Sequence, residues 1–162
     1  MIPIVKRRWL LYCTALLALF LGACTAARPS DNKQGLQLYF LSTKESGPAI
    51  VAQPFPDDTD ATPEGMIQAL LAGPTEDGLR SPFPKGLSLR GCTLKDGHLT
   101  VDFSEQYGGL TDVSLTLADY CVVLTLCQLG QVDSVGITVS GRPLSYRSHQ
   151  TLTLEDAVLA TQ

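Results

Sequence analysis

The segment from Ser114 to Leu129 constrains the fold more than any other part of this 162-residue chain. Its length suits a helix of about four turns. From residue 117 onward apolar residues fill most positions, and only Asp119, Thr125 and Gln128 interrupt them, scattered around the helix axis. A helix that is apolar all round is buried on more than one side, and this one is too short to cross a bilayer. The rest of the chain must therefore cover this helix.

Two interpretations of the helix follow from its composition. In the first, it is the central helix of its own domain and is covered on all sides by that domain. In the second, one flank, formed by Val122, Val123 and Leu126, meets a partner protein or a second copy of the chain. The sequence leaves both interpretations open.

The segments around the helix carry clear boundary signals. Thr62 can cap a second helix, and Pro63 suits its first position because no N–H is needed there. Gly73 ends that helix. Asp96-Gly97 lies between two β-patterned runs and predicts a hairpin, since glycine accepts the positive φ that the turn requires. Other alternating runs predict strands over residues 36–41, 49–52, 87–94, 98–103 and 132–139.

These elements follow one another in the order β-β-α-β-β-α-β. Sequential strands that form hairpins around two helices predict an α+β fold. We expect a two-layer sandwich, in which a mixed or mostly antiparallel sheet of about 4–5 strands carries both helices on one face. Residues 146–162 form a C-terminal extension, for which the pattern predicts a final short strand and a helical turn.

The N-terminus has the order of an export signal. Basic residues 6–8 precede an apolar run over residues 9–21, which is shorter than a membrane span, and small residues lead to Cys24. This arrangement resembles a bacterial lipobox, which implies cleavage after residue 23 and lipidation of Cys24. The alternative is an ordinary signal peptide with an incidental cysteine. The lipobox reading predicts a protein anchored at the extracytoplasmic face of the cell membrane, with residues 24–35 as a flexible tether.

The net negative charge of the chain disfavours nucleic acid and anionic lipid as partners. Removing residues 1–23 takes away three cations and no acid, so the net charge changes from −4 to −7. Nucleic-acid binding depends on clustered Lys and Arg, so no nucleic-acid partner is expected. The same charge disfavours adhesion to anionic lipid. The membrane would therefore be reached through the lipid anchor alone.

The remaining polar residues do not form a recognisable reactive centre. Cys92, Cys121 and Cys127 lack a CxxC spacing, and His98 and His149 are the only histidines, so no metal or cofactor is expected. Three weaker candidates are disfavoured: a nucleophilic pair of Cys92 with His98, a carboxylate pair of Asp102 with Glu105, and a calcium loop at Asp57, Asp58 and Asp60. We expect a protein that is not an enzyme.

Several segments together resemble the GerMN domain family, over residues 36–145. They are Leu38-Tyr39-Phe40, Leu70-Leu71-Ala72-Gly73-Pro74, Phe83-Pro84-Lys85-Gly86, residues 99–104, Leu124-Thr125-Leu126 and residues 135–139 closing on Gly141. The resemblance implies a small α/β domain with no known catalytic centre. Such domains often occur on lipoproteins of spore-forming Gram-positive bacteria, which implies a role in sporulation or spore germination.

Two functional hypotheses follow. The first is a non-enzymatic, lipid-anchored module that mediates protein–protein assembly in the cell envelope, with an envelope protein or a second copy as partner, through a helix face or an edge strand. The alternative is a lipid-anchored binding protein for a cell-wall or small-molecule ligand, held by the loops at residues 54–56 and 83–84.

Overall fold

A computed structural model describes residues 35–158 of the chain. The predicted signal peptide, Cys24 and almost all of the predicted tether lie outside the described residues, as do residues 159–162. The elements in chain order are β1 (Gln37–Ser42), β2 (Ile50–Pro54), α1 (Pro63–Ala72), β3 (Leu79–Arg80), β4 (Leu89–Lys95), β5 (His98–Phe103), a 3-10 helix (Glu105–Gly109), α2 (Asp112–Leu126), β6 (Ser134–Val139), β7 (Arg142–Pro143), β8 (Thr151–Leu152) and α3 (Leu154–Val158).

The strands form two sheets. In the first, β1 lies between β2 and β3, and both pairs are antiparallel. In the second, β4, β5 and β6 are neighbours, and β7 and β8 pair with successive parts of β6. Only β5 and β6 run parallel, because α2 lies in the crossover between them. The α+β class and the mostly antiparallel pairing are confirmed, whereas the single sheet is wrong.

The β4–β5 hairpin forms where the sequence predicts it. Lys95 pairs with His98, and the turn between them contains Asp96 at φ 49° and Gly97 at φ 79°. Two successive positive φ angles are the geometry for which the Asp-Gly pair is suited. At its other end β4 carries a bulge between Leu89 and Gly91.

Helix α1 begins and ends at the predicted signals. The Thr62 hydroxyl accepts a hydrogen bond from the Gly65 N–H at 3.1 Å, and Pro63 occupies the first turn. Gly73 follows the helix at φ 91°. The buried side chains of this helix, Met66, Ile67 and Leu70, form the apolar stripe that packs against the first sheet and β4.

Helix α2 lies at the centre of the core and contacts β1 of the first sheet, β6 of the second sheet and both other helices. It covers Asp112–Leu126, compared with the predicted range 114–129. Val122, Val123 and Leu126 are each 0 % exposed. The prediction that they form an interaction face is therefore wrong, because the rest of the domain already covers these side chains.

The C-terminal segment is packed onto the domain. The predicted short strand and helical turn are present as β8 and α3. Leu152 and Ala157 are buried, and α3 contacts α2. Residues 146–158 are therefore a structural part of the core domain and not an appendage to it. Within residues 35–158, no helix has both the length and the apolar character that a membrane span needs.

Candidate functional site

A buried cluster of three polar side chains joins α2 to the C-terminal segment. Arg147 donates from Nε to Asp119 Oδ2 at 2.9 Å and from Nη2 to Asp119 Oδ1 at 2.7 Å. Tyr107, on the 3-10 helix, donates its hydroxyl hydrogen to Asp119 Oδ1 at 2.6 Å. The third Arg147 nitrogen, Nη1, donates to the Ile137 carbonyl of β6 at 2.8 Å. The cluster therefore links four separate parts of the chain.

Burial dominates the electrostatics of this cluster. The side chains of Arg147 and Asp119 are only 4 % and 5 % exposed. Burial raises the pKa of the Asp119 carboxyl, and the Arg147 guanidinium and the Tyr107 hydroxyl oppose that rise. Burial, followed by the negative charge of Asp119, raises the pKa of Tyr107 well above its ordinary value. Three donors converge on the two carboxylate oxygens, as an ionised carboxylate requires.

Local hydrogen bonds position the two elements that carry the ion pair, namely α2 with Asp119 and the C-terminal segment with Arg147. Ser114 Oγ donates to the Thr111 carbonyl at 2.6 Å and accepts from the Thr111 N–H at 3.2 Å, which fixes the start of α2. On the other side, the Arg147 N–H donates to the Leu144 carbonyl at 3.1 Å. The Gln150 amide closes the same turn by donating to the Leu144 and Arg147 carbonyls.

A cavity of about 510 Å³ lies directly over this cluster. The first turns of α2 form one wall, the segment 146–152 forms the other, and the Asp119–Arg147 pair lies at its base. Its volume is within the range of small-molecule sites. The lining side chains are Thr111, Asp112, Leu115, Thr116, Asp119, Tyr120, Tyr146, Arg147, Ser148, His149 and Leu152.

The residues that the sequence singled out do not meet at one site. Cys92 pairs in register with Val101, while His98 lies at the turn and its Nδ1 is 2.9 Å from Ser134 Oγ. Burial, followed by a hydrogen bond to Glu64, raises the pKa of Cys92 to about 12. Such a thiol is a poor nucleophile at neutral pH.

The proposed carboxylate pair of Asp102 with Glu105 is not supported, because Asp102 is held by hydrogen bonds within the fold. Asp102 accepts hydrogen bonds from the Gly141 N–H at 2.7 Å, the Thr138 hydroxyl at 2.8 Å and Arg90 Nε at 3.1 Å. Glu105 lies beyond β5 in the 3-10 helix. No group of three His, Cys, Asp or Glu side chains in residues 35–158 is placed to hold a metal ion.

The two phenylalanines of the loops that were predicted to hold a ligand pack on the core, Phe55 buried and Phe83 half-buried. Phe55 is 5 % exposed. Phe83 lies with its ring centroid 6.3 Å from that of Phe103 and 6.4 Å from that of Tyr107. These loops contribute no residue to the cavity, which lies at residues 111–120 and 146–152, so a ligand site at the loops stays a prediction.

Sequence reasoning missed Asp119 and Arg147. Asp119 offered a usable signal, because an acid within an apolar helix must find a buried partner. Arg147 offered none, since it stands in a polar segment with no periodicity. His149, which the sequence places in a polar tail, lines the cavity.

These features define a class: a small α+β domain in which two sheets share a central helix and a buried ion pair fixes the C-terminal segment. The chain belongs to the Germane family, described as "Sporulation and spore germination", whose model matches residues 37–145. This is the family whose GerMN domain the sequence resembles. Arg147 and one wall of the cavity lie beyond the matched residues.

Solved structures show the same fold. The first GerMN domain of the sporulation protein GerM from Bacillus subtilis is 22% identical, with a TM-score of 0.60, and the match covers 74% of this chain and 97% of that domain. The tandem GerMN domains of the same protein match at 21% identity and a TM-score of 0.59, over 75% of this chain. This chain spans only 46% of the tandem structure. No sequence among the curated proteins matches this chain significantly.

Proposed function

We propose that this chain is a non-enzymatic, lipid-anchored assembly module that acts in sporulation or spore germination. The observation that carries this proposal is the family match over residues 37–145, which includes the first sheet, four of the five strands of the second sheet and the central helix. The surroundings of Cys92, His98 and Asp102 support a role without catalysis, because each is held in a structural contact. The family description supports a role in sporulation or germination, and the N-terminal sequence supports attachment to the membrane through a lipid.

Attachment would depend on Cys24. The basic residues 6–8, the apolar run 9–21 and the small residues before Cys24 support a lipid-modified N-terminus after export. A diacylglycerol on Cys24 would supply two acyl chains, which can hold the acidic domain at the membrane without electrostatic adhesion. The similar GerMN domains belong to a sporulation protein of Bacillus subtilis, which supports a Gram-positive cell envelope as the setting.

The contact surface would be an edge strand, since the flank formed by Val122, Val123 and Leu126 is buried. Strand β4 ends the second sheet, and no strand among residues 35–158 pairs with its outer edge. Its bulge near Arg90 and the charged Lys95 limit pairing to the stretch between them. Leu94, 39 % exposed, lies in this stretch. An envelope protein or a second copy could add a strand there.

A complementation experiment tests the role and the anchor separately. We expect deletion of the gene in its native host to lower the count of heat-resistant spores or to delay germination. The intact gene should restore the count, and Cys24→Ala should not. Normal sporulation and germination in the deletion strain would refute the proposed role. Full restoration by Cys24→Ala would refute the anchor.

A crosslinking experiment tests the edge strand. A photoreactive residue at Leu94 should give a discrete adduct in sporulating cells. The same residue at Val113, which is 70 % exposed on α2, provides the matched control and should give none. If Leu94 yields no adduct at any stage, or if both positions yield the same products, the edge of β4 is not the contact.

A further inference from the structure

The cavity between α2 and segment 146–152 is not used by the proposed assembly role. We propose that it binds a neutral sugar unit of a polysaccharide chain. Its volume of about 510 Å³ admits one or two pyranose rings, and its lining combines aromatic rings with hydroxyl groups and a small apolar patch. A sugar presents the complementary surfaces, namely C–H faces that pack on aromatic rings and hydroxyl edges that form hydrogen bonds.

The aromatic wall is held in place before a ligand arrives. Tyr146 is 52 % exposed, yet its hydroxyl donates to the Gly108 carbonyl at 2.7 Å and also lies 3.3 Å from the Leu110 carbonyl. The ring is therefore fixed at the rim while part of it faces solvent. Tyr120, half-buried on α2, adds a second ring to the lining. A rigid tyrosine provides contact area at low entropic cost.

Hydrogen-bonding groups without internal partners surround these rings. The Ser148 and Tyr120 hydroxyls and the Asp112 carboxylate line the cavity and form no hydrogen bond or ion pair within residues 35–158. Leu115 and Leu152 supply the apolar patch. These groups can donate to and accept from ligand hydroxyls, as a sugar edge requires.

The charge of the lining favours a neutral ligand over an anion. Arg147 is the only Lys or Arg in the lining, and Asp119 and the Ile137 carbonyl occupy all three of its nitrogens. Asp112 leaves an exposed negative charge at the rim. A phosphate or carboxylate would therefore find no unpaired Lys or Arg among the described lining residues and would face repulsion from Asp112.

The test measures binding of tri-N-acetylchitotriose to the full chain purified in detergent, by ligand-observed saturation-transfer NMR. We expect saturable binding with a Kd of about 1 mM or tighter. Inorganic phosphate, tested under the same conditions, should not bind. Choline, a cation that can pack on the same tyrosine rings beside Asp112, is the competing probe and should bind more weakly than the sugar. No saturation with the sugar, or preferred binding of phosphate or choline, would overturn the proposal.

Variants locate the binding. Tyr146→Ala should weaken it about tenfold, and Ser148→Ala, which removes no internal hydrogen bond, about threefold. Tyr39→Ala and the exposed neighbour Ser145→Ala provide the matched controls, because neither residue lines the cavity. Circular dichroism verifies that each variant is folded. If the Ser148 and Ser145 variants bind equally well, sugar binding is not at this cavity and the proposal fails.

The outcome is distinguishable from that of the assembly proposal. Loss of sugar binding in Ser148→Ala should leave the Leu94 adduct unchanged, because the β4 edge contributes no residue to the cavity. The two proposals can therefore fail independently.

Discussion

At the scale of single residues, the three polar side chains that interrupt the apolar run of residues 117–129 each connect α2, or the turn that follows it, to another element. Thr125 Oγ1 accepts a hydrogen bond from the Tyr39 N–H at 3.2 Å. The Gln128 amide exchanges two hydrogen bonds with the Gln37 backbone, at 2.9 and 2.7 Å. Asp119 holds Arg147. Thr125 and Gln128 thus position the first sheet, and Asp119 positions the C-terminal segment.

The buried ion pair should have a larger effect on stability than the exposed one. We expect Arg147→Met to lower the free energy of unfolding by about 3–5 kcal/mol, because it leaves the Asp119 carboxylate buried and uncompensated. The side chain of Arg90, which pairs with Asp102, is 55 % exposed. Arg90→Met should therefore lower the free energy of unfolding by at most about 1 kcal/mol. Urea denaturation of the two variants measures both values.

A double variant separates charge burial from lost packing. Adding Asp119→Asn to Arg147→Met removes the unpaired charge while leaving an acceptor for Tyr107. The double variant should therefore be more stable than Arg147→Met alone. If it is equally unstable, lost packing and not the unpaired charge determines the cost.

Asp102 should give a defined pH dependence. Although partial burial opposes ionisation, hydrogen bonds from the Gly141 N–H, the Thr138 hydroxyl and Arg90 lower the pKa of Asp102 below its ordinary value. Its contribution to stability is therefore present above the unfolded pKa of about 3.9 and is lost as pH falls through the lower folded pKa. Asp102→Asn should be less stable than wild type at pH 7, and the difference should shrink below about pH 4. Urea denaturation of both proteins at several pH values measures this difference in stability. A difference that stays constant from pH 7 to below about pH 4 would contradict the prediction.

At the scale of elements, Gly65 decides how α1 begins. A Cβ at this position would collide with the Asp60 carbonyl oxygen, and the Thr62 hydroxyl is also near. Glycine to alanine within a helix normally stabilises by up to about 1 kcal/mol. Here we expect Gly65→Ala to lower the melting temperature. Gln68→Ala, at an exposed position of the same helix, controls for the helix propensity of alanine. This variant should leave the melting temperature unchanged or raise it.

The C-terminal segment should be required for the fold although it lies beyond the family match. Truncation after Ser145 removes Arg147, Leu152 and the buried Ala157, so Asp119 loses its partner and β6 loses β8. We expect this variant to fail to fold cooperatively. Truncation after Val158 keeps these contacts and should melt within a few degrees of the intact protein, as followed by circular dichroism. Cooperative melting of the shorter variant would show that the segment is dispensable.

Elements with local signals were predictable from the sequence, and their pairing was not. Asp96-Gly97 specifies the β4–β5 turn through its own backbone preferences, and Thr62 and Pro63 specify the start of α1 in the same way. The parallel pairing of β5 with β6 depends on contacts across the whole crossover, which no local pattern encodes. The cavity is lined by residues 111–120 and 146–152, which are distant in sequence, so no local pattern encodes it either.

At the scale of the whole molecule, α2 connects the two sheets through one shared core, which should make them a single cooperative unit. The helix packs against β1 on one side and β6 on the other, and residues of all these elements belong to one continuous core. A residue in that shared core should therefore stabilise both sheets equally. Leu126, 0 % exposed near the end of α2, provides the test.

We expect Leu126→Ala to lower the free energy of unfolding by about 2–5 kcal/mol through the cavity that it leaves. Because one core supports both sheets, urea should still unfold the variant in a single transition with an unchanged m-value. Native-state hydrogen exchange should show equal loss of protection in Gln37–Ser42 and Ser134–Val139. Leu94→Ala, on the exposed edge of β4, should change neither strand. If protection falls in only one of the two strands, each sheet is stabilised separately and α2 does not couple them.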